Sequence, residues 1–144
     1  MTIQQISVFL ENRAGRLAEI TEILANAGVN LRAIHIAETL DYGVLRMIAD
    51  DTKTASTILS EQGFLVSVTP VVAVAVDDAP GSLNRVMDVI TKADVDVSYM
   101  YSSFGVNDGV AYMIFRVEPP EKLVSALNQA GIHVAEPAEL GIKA

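Results

Sequence analysis

The sequence predicts an α+β fold of two tandem β-α-β-β-α-β units, each an antiparallel sheet with its helices on one face. Three observations predict it. The 144-residue chain matches itself at a shift of 66 residues, which places Val8 on Val74, Gly15 on Gly81, Leu17 on Leu83, Ala27 on Ala93, Val29 on Val95, Gly43 on Gly109, Val44 on Val110, Met47 on Met113 and Ile48 on Ile114. Pairs such as Glu11/Asp77, Asn12/Asp78, Ile20/Val86, Leu24/Ile90 and Asn30/Asp96 keep their chemistry, and after an insertion near Pro119-Pro120 the register resumes with Gly63 on Gly131. Strand-like and helix-like apolar spacings then follow in the same order in both copies. The expected domains are residues 1–69 and 70–144.

In the first copy, Ile6–Leu10 is a short apolar run of strand composition. Glu11–Gly15 is a turn whose polar residues can cap a helix start. Leu17, Ile20, Ile23, Leu24 and Ala27 fall on one face of a helix, which Gly28 ends by accepting a left-handed conformation. Val29–Glu38 and Gly43–Ala49 read as strands around a turn at Leu40–Tyr42. Thr52–Gln62 reads as a helix with Ala55, Ile58 and Leu59 inward and Gly63 closing it, and Phe64–Thr69 as a fourth strand. The second copy repeats this: strand Val71–Val76, helix Gly81–Ala93, strands Val95–Phe104 and Gly109–Glu118, a helix over Pro119–Ala130 opened by prolines, and a short strand Ile132–Ala135. Right-handed crossovers place both helices of a unit on one sheet face, the ferredoxin-like arrangement.

A unit of about 66 residues buries only about 60% of its unfolded surface, so each copy alone is marginal. Val44-Leu45 and Met47-Ile48-Ala49 are apolar at consecutive positions, unlike strands with one wet face. Only Pro70 separates the fourth strand of the first copy from the first strand of the second. The units are therefore expected to pack rigidly on each other and on a second chain, as a homodimer.

Composition narrows the function. A content of 51% hydrophobic and 19% charged residues excludes a disordered tail. No apolar run reaches the roughly 18 residues that span a bilayer, and MTIQQISVFL has no signal-peptide pattern, so a cytoplasmic protein without a membrane partner is expected. The absence of cysteine excludes disulfides, thiol nucleophiles and cysteine metal sites. Ten basic residues against 18 acidic ones give a net charge of −8, and the basic ones are scattered, which argues against nucleic acid.

No nucleotide, nucleophile-elbow or zincin motif is present, so neither enzyme activity nor a cofactor is expected. His35 and His133 read as surface or packing residues. Asp77-Asp78 and Asp94 with Asp96 flank one helix and suit turns and caps better than a cation. Tyr99 and Tyr101 share a strand face and, with Tyr112, read as packing rather than base stacking. The strand-to-helix turn is the strongest candidate, because both copies keep it. It reads Leu10-Glu-Asn12-Arg13-Ala14-Gly15-Arg-Leu in the first and Val76-Asp-Asp78-Ala-Pro80-Gly81-Ser-Leu in the second. The free N–H groups of a helix's first turn can hold a carboxylate, and Asn12 or Asp78 can bond an ammonium group.

The turn N-R-x-G-x-L, its helix and the Gly28-Val29-Asn30 that follows resemble the ACT domain, the small regulatory module of amino-acid metabolism. Over residues 3–135 the chain is similar to small stand-alone tandem ACT proteins. The resemblance implies side-by-side pairing and a free amino acid bound where two ACT domains meet. In the serine-binding ACT domain of phosphoglycerate dehydrogenase, a histidine and two asparagines hold the effector. Asn12 and Asn30 match those asparagines, and Leu10 stands at the histidine position. Copy two carries Asp78 and Asp96 instead. Carboxamides both donate and accept, so the first copy is expected to form the better site for a zwitterion. The resemblance also implies a second reading, a regulatory subunit docked on an amino-acid biosynthetic enzyme, as in acetolactate synthase.

Overall fold

A computed structural model describes residues 1–11, 13–38, 41–104 and 109–143. The order is β1 (Ile3–Glu11), α1 (Arg16–Asn26), β2 (Leu31–Glu38), β3 (Tyr42–Ala49), α2 (Thr52–Glu61), β4 (Leu65–Asp77), α3 (Ser82–Lys92), β5 (Val97–Ser102), β6 (Val110–Val117) and α4 (Pro120–Gln129), then a 3-10 turn at Pro137–Leu140. The chain forms two compact units. One comprises Gln4–Thr69 and the C-terminal segment from Ile142, the other Met1–Ile3 and Pro70–Gly141.

In the first unit the strand order is β2-β3-β1-β4. β3 runs antiparallel to both β1 and β2, with Ile6 opposite Met47 and Ile36 opposite Leu45. Ile6, Val8 and Leu10 on β1 alternate inward to meet Ile20 and Leu24 of α1 and Ala55 and Leu59 of α2. Gln5 is fully buried on the opposite strand face, and its amide donates to Ser7 and Thr69 hydroxyls, both at 3.3 Å. Ala33 and Ile48 are also fully buried, so strands covered on both faces explain the consecutive apolar residues. Asp51 caps α2 by accepting from the Thr54 amide at 3.1 Å and its hydroxyl at 2.8 Å. These two bonds hold the Asp51 carboxyl below its ordinary range. Its share of stability is therefore present at neutral pH and lost as pH falls through that lowered value.

In the second unit the order is β4-β6-β5, again antiparallel, with Val72 opposite Phe115 and Met100 opposite Phe115 on the other side. Val72, Val74, Val86, Ile90, Phe115, Leu123 and Leu127 make its core. The duplication extends to single hydrogen bonds. Glu19 N donates to Gly15 O at 3.0 Å and Arg85 N to Gly81 O at 3.1 Å, while Val29 N donates to Leu24 O at 3.0 Å and Val95 N to Ile90 O at 3.2 Å.

Three features differ from the sequence expectation. The two strands expected on either side of Pro70 are one strand, β4, because extended backbone suits proline's fixed φ; the Pro70 carbonyl accepts from Arg116 at 3.3 Å. The strand expected at Ile132–Ala135 is a single bridge, Val74 to Val134. The chain then turns into the 3-10 segment, closed by reciprocal bonds between Glu136 and Glu139. Of the turn expected at Leu40–Tyr42, Leu40 lies outside the described residues, and Tyr42 opens β3.

Helix α1 ends on Gly28 at φ 72°, as expected, but its counterpart after α3 is Asp94, held at φ 53°. Aspartate tolerates that region less well than glycine. Asp94→Gly is therefore expected to raise the unfolding free energy by about 0.5–1 kcal/mol, read as a higher urea midpoint. A lower midpoint would mean that the greater freedom of glycine in the unfolded chain outweighs the relieved strain.

Candidate functional site

Gly15 and Gly81 cap α1 and α3 in the same left-handed geometry, φ 89° and ψ −14°. The chain must leave a strand and enter a helix within a few residues, and the positive φ makes that reversal possible without a Cβ clash. The polar residues of the turns were expected to cap the helices. Among the described residues neither helix start has a side-chain cap; the Arg16 and Ser82 amides donate to the turn carbonyls of Arg13 at 3.4 Å and Ala79 at 3.3 Å, and the two amides that follow each lack an intrahelical acceptor. An added Cβ meets nothing within 4 Å at either glycine, so the φ alone sets the cost of substitution. Gly15→Ala and Gly81→Ala are each expected to destabilise by about 1–2 kcal/mol, measured by thermal unfolding. A loss much above that would require a steric conflict that the open space rules out.

Val76, Asp77 and Ser82 of the second unit's turn border a cleft of about 280 Å³ beside the N-terminus of α3, whose lining does not include the expected Asp78, Pro80 or Gly81. Val76, Val86 and Ile132 form its apolar floor, and Asp77, Ser82, Arg85 and His133 its polar rim. Arg85 is exposed and its guanidinium donates to the Ala130 carbonyl at 3.2 Å. His133 Nε2 lies 2.6 Å from the Glu139 carboxylate, which the 3-10 turn brings back towards it. His133 was expected to be a packing or surface residue; its exposed side chain lines the cleft mouth, fixed by this partner. Arg85, the start of α3 and the carboxylate-bearing Asp77 thus border the same small cleft. That is a complementary pair for a zwitterion.

The other sequence candidates separate into two groups. Leu10 points into the first unit's core and is 5% exposed. Arg13 is exposed and pairs with Glu11 at 3.1 Å, and Ala14 is exposed beside Gly15. Asn12 lies outside the described residues. Asn30 sits past the far end of α1, where its backbone N–H donates to Asp50 Oδ1 at 2.9 Å. An 11-residue helix is about 16 Å long, so the Gly15 turn and Asn30 occupy opposite ends of the unit. In the second unit Asp78, Pro80 and Gly81 are exposed at one end of α3, and Asp96 is exposed past the other. Asp78 and Asp96 are separated in the same way, and no group of three potential metal ligands occurs among the described residues. Tyr101 and Tyr112 are buried, and Tyr99 stacks on Tyr101 with ring centroids 6.5 Å apart. The polar residues that line this cleft, Asp77, Ser82, Arg85 and His133, were not among the ligand-binding candidates read from the sequence, and the signal that points to Arg85 is a cation one helical turn after Gly81.

No helix among the described residues is long and apolar enough to cross a membrane. The chain is 36% identical to protein BT0572 from Bacteroides thetaiotaomicron, whose crystal structure superposes with a TM-score of 0.91 over 98% of this chain and 96% of that one. It shares its fold with the regulatory subunit of aspartate kinase from Thermus thermophilus, at 16% identity and a TM-score of 0.65 over 88% of this chain and 91% of that one. Aspartate kinase from Synechocystis matches at 16% identity and a TM-score of 0.60, over 94% of this chain and 27% of the enzyme. No curated protein sequence matches the chain. The profile of the ACT domain pair matches residues 1–140, and the chain belongs to that family.

Proposed function

We propose that this chain is a non-enzymatic, cytoplasmic regulatory protein that binds a free amino acid, with the cleft beside α3 as its effector site. One observation carries the reading: Asp77, Ser82 and Arg85 border a cleft over an apolar floor at a helix N-terminus. The α-carboxylate would meet Arg85 and the first-turn amides, the α-ammonium Asp77, and the side chain Val76, Val86 and Ile132. This inverts the preference drawn from the carboxamides Asn12 and Asn30, which favoured the first unit. Regulatory affinities from micromolar to millimolar correspond to about −8 to −4 kcal/mol, within reach of a few such bonds.

The reading includes a homodimer, in which a second copy would bring to the cleft rim an Asn30 or Asp96 that its own unit keeps a helix length away. Effector binding would then favour the pairing that completes the better site, which is regulation by linkage. A thermal-shift screen of the twenty L-amino acids tests the reading. A binder at 100-fold its Kd is expected to add about 2.7 kcal/mol of stability. Silence from all twenty would favour the second reading, a subunit docked on an amino-acid biosynthetic enzyme. That reading draws support from the fold shared with the regulatory subunit of aspartate kinase.

A further inference from the structure

The internal register sets Arg16 against Ser82, Glu19 against Arg85, and Phe64 against Ile132. In the second unit those positions line the open cleft. In the first unit Arg16 lies against both of the others. Its guanidinium carbon sits 4.7 Å from the centroid of the Phe64 ring, and its Nη1 donates to Glu19 at 2.9 Å. The side chain is only 22% exposed although it stands at the start of a surface helix. Its Nε–H is buried with no acceptor among the described residues, a cost that a solvated arginine would avoid.

The same positions therefore carry opposite chemistry in the two units. Where the second unit presents a small hydroxyl and an available guanidinium, the first presents a long side chain and a carboxylate. Glu19 has the wrong sign for an incoming carboxylate, and the cation beside it is already neutralised and lies across an aromatic ring.

We propose that Arg16 is a built-in occupant of the first unit's turn, so that the chain carries one amino-acid site, in the second unit, despite its duplicated architecture. The proposal rests on the effector reading above, deepens it to a stoichiometry, and names the residue that sets it.

Calorimetric titration of the full chain with each of the twenty L-amino acids tests it. The wild type is expected to bind one molecule per chain. The transplant Arg16→Ser with Glu19→Arg is expected to bind two, and the reverse transplant Ser82→Arg with Arg85→Glu to bind at least about tenfold more weakly. Two molecules per wild-type chain, with one lost in the first transplant, would overturn the occupant role and leave the effector reading standing. If no amino acid binds the wild type, the effector reading fails, and NMR exchange of the arginine Nε–H groups judges the occupant by itself. Protection of Arg16 well beyond that of the exposed Arg13 supports it; equal exchange overturns it.

Discussion

Arg85→Ala is expected to weaken amino-acid binding by roughly 10- to 150-fold while leaving the fold intact. The range follows from the roughly 1.5–3 kcal/mol carried by a hydrogen bond to a charged partner. Arg85 is exposed and its guanidinium bonds one carbonyl among the described residues, so its removal leaves no cavity in the core. Arg85→Lys separates charge from geometry. An ammonium retains the attraction but loses the planar fork, so the lysine variant is expected to fall between wild type and alanine. Calorimetry with the amino acid that gives the largest thermal shift measures all three. Equal affinity in the alanine variant would remove Arg85 from the site.

The largest stability effect is expected at Phe115. Its side chain is fully buried on β6, with Val72 on one side and Met100 on the other in strand register. Leu123 and Leu127 of α4 belong to the same core. Truncation to alanine is expected to cost about 3–5 kcal/mol in urea unfolding, as transfer and cavity terms add. Against a total of about 5–15 kcal/mol this is a large fraction of native stability. The first unit has alanine at the equivalent position, Ala49, but there the surrounding side chains have their own packing. A cost below about 1 kcal/mol would mean that the second core refills the space, which the fully buried Val72, Leu123 and Leu127 oppose.

Most of the fold was legible because its determinants are local. Apolar spacing located all four helices, and Gly28 and Gly63 mark the ends of α1 and α2 by a left-handed φ that the sequence anticipates. Where a boundary depends on a distant partner, legibility fell. Pro70 reads as a break only until β6 brings Arg116 to its carbonyl, and residues 132–135 cannot be distinguished from a strand until Val74 supplies just one bridge.

The site divides the same way. The Gly15 and Gly81 turns were visible because they recur, and their identical dihedral angles follow from the same local constraint. The contrast between Arg16 and Ser82 was not. A serine and an arginine at matched positions carry no message until folding brings Glu19 and Phe64 around one and the cleft around the other. The emphasis on Asn12 and Asn30 came from the family resemblance and from carboxamide chemistry. It could not register that Asn30 lies a helix length from the turn.

The central claim, that an amino acid docks on the first turn of α3, is tested most directly by 1H–15N chemical-shift mapping of the wild-type chain with each thermal-shift hit. The largest and saturable changes are expected at the amides of Gly81, Ser82 and Leu83 and at the Arg85 Nε–H, with the Gly15–Ala18 amides nearly unmoved. Largest changes at Gly15–Ala18, or none near Gly81 under a saturating amino acid, would contradict it.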